Sequence, residues 1–257
     1  MVTDISILSL TDGLGPWGLS AIFFAVLVTS AIHGATGVAG GFLMTAALAV
    51  IIGVKPVVPV MSVALLISHA ARALLNVQDF DRTVFFSIVV PAVPCIVIGA
   101  AFYVWLPATA IAVLLGCVIL ASIPVRRWAK TRDMTTSRPA LYAAGGVYGG
   151  LSGTTIGPGM LLVPFMLGYG MTKEAFVATL AGIALVTNIT RVGVFGSADL
   201  LDGGYLLLGV LVGLVTIPGN WIGRAVLRRM TSERHGGIVD VLTVLGALNF
   251  FLLAWRG

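Results

Sequence analysis

The chain has 257 residues, of which 58% are hydrophobic and only 10% charged, and its net charge is +5. With a mean hydropathy of +1.07, it is far too apolar for a soluble domain of this length, and its longest polar stretch, 126–138, leaves no room for a separate soluble unit. The positive balance is not a nucleic-acid footprint, because nine of the fifteen basic residues crowd two short segments.

The N-terminal region carries Asp4 and Asp12 and no Lys or Arg before Lys55. It lacks the basic n-region of a cleaved signal peptide, so its first apolar stretch is expected to be retained. Residues 17–53 are apolar but interrupted at 34–41, which predicts a hairpin of two short helices. Spans are predicted over about 57–76, 83–105 and 107–124. Arg126, Arg127, Lys130, Arg132 and Arg138 then mark a basic linker. Beyond it, 139–170 repeats the broken pattern with an interruption at 153–159. Spans follow at about 174–195 and 204–223, then a second basic loop with Arg224, Arg228, Arg229 and Arg234, and a last span.

Both basic segments belong on the cytoplasmic side, so an even number of crossings separates them. The stretch 139–170 must therefore cross twice or not at all. Its arms, 139–152 and 160–170, are only about 21 Å and 16 Å long as helices, against a hydrocarbon core of about 30 Å. A hairpin meeting near the midplane satisfies both constraints, because irregular backbone is tolerated at depth where protein or a watery cavity surrounds it. The expected fold is an all-α polytopic membrane protein. It has two inverted-topology repeats, each a broken-helix hairpin plus three transmembrane helices. The division is 1–125, a cytoplasmic linker 126–138, and 139–257.

The two breaks correspond at an offset of 119 residues. His33-Gly34-Ala35-Thr36-Gly37-Val38-Ala39-Gly40-Gly41 recurs as Ser152-Gly153-Thr154-Thr155-Ile156-Gly157-Pro158-Gly159-Met160, Ser68-His69 corresponds to Thr187-Asn188, and Arg72 to Arg191. A helix N-terminus exposes unpaired N–H groups and partial positive charge, and the second arm of each hairpin starts at such a turn. Gly34, Gly37, Gly40, Gly153, Gly157 and Gly159 permit a tight backbone, Thr36, Ser152, Thr154 and Thr155 add hydroxyls, and Pro158 suits a helix entry. Together these read as a cradle for a small anion.

Arg72 and Arg191 lie late in their spans, where a charge either serves the site or snorkels to the nearer interface. Ser68, His69, Thr187 and Asn188 sit one helical turn deeper on the same face. His33 and His69 are the groups near the midplane that change charge near neutral pH, so proton coupling would run through a histidine or through the substrate. They lack a third ligand for zinc, and no metal or cofactor is expected. Cys95 and Cys117, without His or acidic neighbours, read as buried small hydrophobes.

In these motifs the chain resembles the sulfite exporter TauE/SafE family of membrane anion permeases, over nearly its whole length and in both halves. The carrying residues are Gly34-Ala35-Thr36-Gly37-Val38-Ala39-Gly40-Gly41 and its partner Gly149-Gly150-Leu151-Ser152-Gly153-Thr154-Thr155-Ile156-Gly157-Pro158-Gly159, followed by Leu162-Val163-Pro164. Met61-Ser62, Ser68, Asn76 and Phe80-Asp81 extend the likeness. Where the family tends to three consecutive glycines, this chain has Ala39-Gly40-Gly41 and Gly157-Pro158-Gly159.

The resemblance implies transport of sulfite, thiosulfate, organosulfonates or related oxyanions, often as export. The expected activity is secondary transport by alternating access around the two hairpin tips, with an anion channel of the same architecture as the alternative. An enzyme is set aside, since no carboxylate lies inside a span. Expected partners are a small anionic substrate and the lipid bilayer, with no nucleic acid and with a homodimer allowed for. The expected location is the cell membrane, in bacteria the inner one.

Overall fold

The computed structural model describes residues 7–36, 39–75, 77–131, 135–227 and 232–256. Among the described residues there are ten α-helices and no strand. They are α1 (Ile7–Thr36), α2 (Ala39–Ile52), α3 (Val54–Leu75), α4 (Arg82–Trp105) and α5 (Ala108–Thr131), then α6 (Arg138–Thr154), α7 (Leu162–Gly168), α8 (Lys173–Ser197), α9 (Gly203–Leu227) and α10 (Ser232–Trp255). By length and composition, four contain stretches able to cross a membrane among the described residues: Arg82–Trp105, Ala108–Val125, Glu174–Ser197 and Gly203–Gly223. Shorter apolar helical stretches include Gly41–Ile52 and Pro158–Gly168.

Helix starts follow from local chemistry. Asp81 caps α4, its carboxylate accepting from Val84 N–H at 3.0 Å, and its own N–H reaches Thr179 Oγ1 on α8 at 3.0 Å. Thr172 accepts from Ala175 N–H at the start of α8, and Asp202 accepts from Tyr205 N–H at the start of α9. Each supplies an acceptor for an N–H that the helix itself leaves unpaired.

The second break lies where the sequence places it. α6 ends at Thr154, and a 3-10 turn over Pro158–Leu161 leads directly into α7. The first break is narrower than expected. α1 is helical through Gly34 and Thr36, and α2 restarts at Ala39, so Gly40 falls inside a helix and Gly37 lies outside the described residues. α1 also begins ten residues earlier than the predicted arm and runs for 30 residues, about 45 Å. Glycine only weakens a helix, by about 1 kcal/mol, whereas the second break holds a proline, which cannot donate its backbone N–H.

Packing interleaves the two halves. α1 lies along α9, α4 along α6, α3 against both α8 and α9, α4 also against α8, and α5 against α10. The α4–α6 contact brings backbones together through Gly145, Gly149 and Gly153, one helical turn apart. A methyl on Gly149 would strike the Ala92 carbonyl, and one on Gly153 would lie 2.6 Å from both Ala100 N and Ile96 O. Small residues at this spacing let membrane helices approach closely. Gly149→Ala is expected to cost about 1–3 kcal/mol through overpacking, read as a lower thermal midpoint in detergent. An unchanged midpoint would show that the two backbones are not in contact.

Cys95 is partly buried and Cys117 is exposed on α5. The expectation that both are buried therefore fails for Cys117. Its helix presents that face to the outside of the bundle, where an apolar side chain is at home in lipid.

Candidate functional site

The interior holds a cavity of about 270 Å³ built from five helices and the second break. α8 supplies one long stripe to its wall: Phe176, Leu180, Ala184, Thr187, Asn188 and Arg191. Apart from the adjacent Thr187 and Asn188, their spacing of three or four residues puts them on one helix face. Tyr148 and Ser152 come from α6, Leu65 and His69 from α3, and Gly41 from α2. The floor is Ile156, Gly157, Pro158, Gly159 and Met160.

The two breaks meet here. Gly157 has a left-handed backbone with φ of +93°, and a methyl built on it would lie inside the ring of Phe42, the second residue after Gly40 on α2. Phe42 is buried. The tip of the second hairpin thus rests on the start of the second arm of the first.

Arg191 is 3% exposed. Its Nε and Nη2 are buried without a hydrogen-bond partner among the described residues. The guanidinium carbon lies 6.0 Å from the ring centroid of Phe195, and Phe195 in turn packs on Tyr103 with centroids 5.2 Å apart. Tyr103 is anchored by its hydroxyl, which donates to Lys55 O at 2.8 Å. This aromatic stack holds Arg191 from behind without neutralising it. A buried charge without a partner is costly in protein and more so in lipid, so the geometry is one that an anion would relieve.

Hydrogen-bond geometry assigns the protons of Thr187 and Tyr148 and the amide orientation of Asn188. Thr187 Oγ1 donates to Ile183 O at 2.8 Å, which uses its only proton. The hydrogen bond of 3.0 Å between Tyr148 and Thr187 must then be donated by the tyrosine. Asn188 Nδ2 donates to Ala184 O at 2.7 Å. A carbonyl accepts and never donates, so the amide orientation is settled and Oδ1 is left, buried and unpaired among the described residues.

Of the residues expected from sequence, the cavity gathers His69, Ser152, Gly157, Gly159, Thr187, Asn188 and Arg191. Others lie elsewhere. Ser68 turns to α9, with Asn220 Nδ2 3.5 Å from its hydroxyl. Gly153 is consumed by the α4 contact. Thr154 and Thr155 are buried off the cavity wall and donate to Leu151 O at 3.1 Å and 2.8 Å. Hydroxyls at a helix end readily bond back to the preceding turn, and these two therefore do not offer the cavity a donor. The backbones of His33, Gly34, Thr36, Gly40 and Arg72 belong to helices, while their side-chain environments, like Gly37, fall outside the described residues.

Tyr148, Phe176 and Leu180 line the cavity without having been singled out from sequence. Tyr148 precedes Ser152 by one helical turn, which was the available signal. No curated protein and no solved structure matches the chain. The family model described as Sulfite exporter TauE/SafE matches residues 22–250, nearly the whole chain. With its apolar membrane-length helices, the protein is a multi-pass membrane transporter. The chain belongs to the sulfite exporter TauE/SafE family.

Proposed function

We propose that the protein is a secondary transporter that exports a small oxyanion, such as sulfite, thiosulfate or an organosulfonate, by alternating access around the two Gly-rich breaks. The observation that carries this reading is Arg191, a buried guanidinium with two unpaired N–H-bearing nitrogens on the wall of an internal cavity. Its donors match the acceptors of an oxyanion and are strengthened by the low local dielectric. At about 270 Å³ the cavity lies at the lower edge of ligand sites, which run from about 300 Å³ for drug-sized molecules.

Two inverted repeats, 1–125 and 139–257, joined by a cytoplasmic linker over 126–138, form the architecture of this reading. The helix pairings support it. Exchanging each helix of one half for its counterpart converts the α1–α9 contact into α6–α4 and α3–α9 into α8–α4, and leaves α3–α8 and α5–α10 unchanged. His69 on the cavity wall supports coupling to protons. The membrane is the bacterial inner membrane in this reading.

Thermal unfolding of the purified protein against a panel of oxyanions tests the proposal. An oxyanion at a hundredfold excess over its Kd adds about 2.7 kcal/mol to the native state, a rise of several degrees in the midpoint. A panel in which only cations or neutral solutes raise the midpoint would remove the oxyanion reading.

A further inference from the structure

Resting on the anion site just proposed, we infer that the occupant is an anion that also donates a hydrogen bond: a short organic anion bearing an O–H or N–H group. The cavity wall carries two opposite poles on one face of α8. Arg191 offers donors only. Asn188, three residues earlier and so its neighbour on the helix surface, offers an unpaired acceptor. One amide proton is donated to Ala184 O at 2.7 Å, which fixes the amide orientation and leaves Oδ1 buried without a partner among the described residues, with the residue 3% exposed.

The tyrosine beside it is wired in the same sense. Because Thr187 has committed its proton to Ile183 O, Tyr148 spends its own on Thr187 and has none left to donate to a ligand. An anion that only accepts would satisfy Arg191 and leave Asn188 Oδ1 desolvated, facing a group that cannot pair with it. A ligand with an anionic group at one end and a donor at the other satisfies both poles. One helical turn separates them, which sets a spacer of about two carbons. Leu65, Ile156, Val163 and Leu180 on the wall give that spacer an apolar surface to lie against.

Sites built to pair a ligand hydroxyl or amine reject analogues that lack it far more strongly than apolar pockets reject a change of size. Three sulfonates of matched length separate the possibilities: 2-hydroxyethanesulfonate, 2-aminoethanesulfonate and 1-propanesulfonate. Binding to the purified full-length protein is measured by calorimetry. A donor-bearing member is expected to bind at least about tenfold more tightly than 1-propanesulfonate, the cost of one buried unpaired acceptor. Asn188→Leu is expected to abolish that preference by weakening the donor-bearing ligand alone. Its amide bonds only within its own helix, and an unchanged midpoint checks the fold. Should the variant not fold, the three ligands on the parent protein still decide.

Equal binding of all three sulfonates, or tighter binding of 1-propanesulfonate, overturns the inference and leaves the anion site standing. A preference that survives in Asn188→Leu overturns the assignment to Asn188. Failure of all three to bind, with no response to inorganic oxyanions either, removes the anion site and this inference with it.

Discussion

Arg191→Met is expected to weaken anion binding by about a hundredfold or more while leaving the protein at least as stable as its parent. Hydrogen bonds to charged groups contribute about 1.5–3 kcal/mol each, and two unpaired nitrogens of Arg191 are available to a ligand. Their loss weakens binding by about a hundredfold or more, since each 1.4 kcal/mol is a factor of ten. Stability moves the other way. The guanidinium is buried without an acidic partner among the described residues. Replacing even a buried ion pair by apolar side chains of similar volume is often neutral or stabilising, and here no partner offsets the cost of burying the charge. Arg191→Lys keeps the charge and loses the planar fork, so it should fall between the two. Anion flux into proteoliposomes and the thermal midpoint are the two readouts. Flux retained by Arg191→Met would remove the residue from the site. A collapsed midpoint would mean that Arg191 is structural.

Gly157→Ala is expected to damage the fold itself. Two costs add at this position. A left-handed backbone, here at φ +93°, costs a residue with a Cβ about 1–2 kcal/mol, and the new methyl would also occupy the space of the Phe42 ring. Phe42 is 1% exposed, so its ring cannot swing into solvent. The sum is about 2–4 kcal/mol, enough to lower the midpoint clearly. Phe42→Leu placed in the Gly157→Ala background should recover the steric share and leave the backbone share. The pair is therefore expected to show a coupling energy of about 0.5–3 kcal/mol. Additivity within about 0.5 kcal/mol would show that the hairpin tip does not rest on α2.

Much of this arrangement was legible in the residues. The basic loops and the short arms required a hairpin over 139–170, and α6 with the Pro158–Gly168 helix matches it closely. Arg191, Asn188 and Thr187 were legible as a cavity face because polar groups at a spacing of three and four are conspicuous in an apolar span. The rest was hidden for identifiable reasons. Gly34 and Gly40 read as breakers, but glycine tolerates a helix, and only residues near the break decide where it ends. Thr154 and Thr155 read as ligand donors because a side chain's preference for its own preceding carbonyls leaves no trace in a motif. The stripe Gly145, Gly149, Gly153 was read partly as a turn, although its spacing of four residues marks a helix-packing face. Tyr148 carries no charge and sits in an apolar run, so only its distance from Ser152 pointed to the site.

The interleaved packing restricts how such a transporter could move. Rocking one half of the chain as a block against the other would strip α1 from α9 and α4 from α6, the two most extensive helix contacts among the described residues. Bodies that stay intact during a conformational change must each be composite, drawn from both halves of the chain, with sliding at the seams where α3 meets α8, where α5 meets α10 and where the Gly157 tip rests on Phe42. Under the alternating access proposed above, a crosslink across any of these seams is expected to stop turnover.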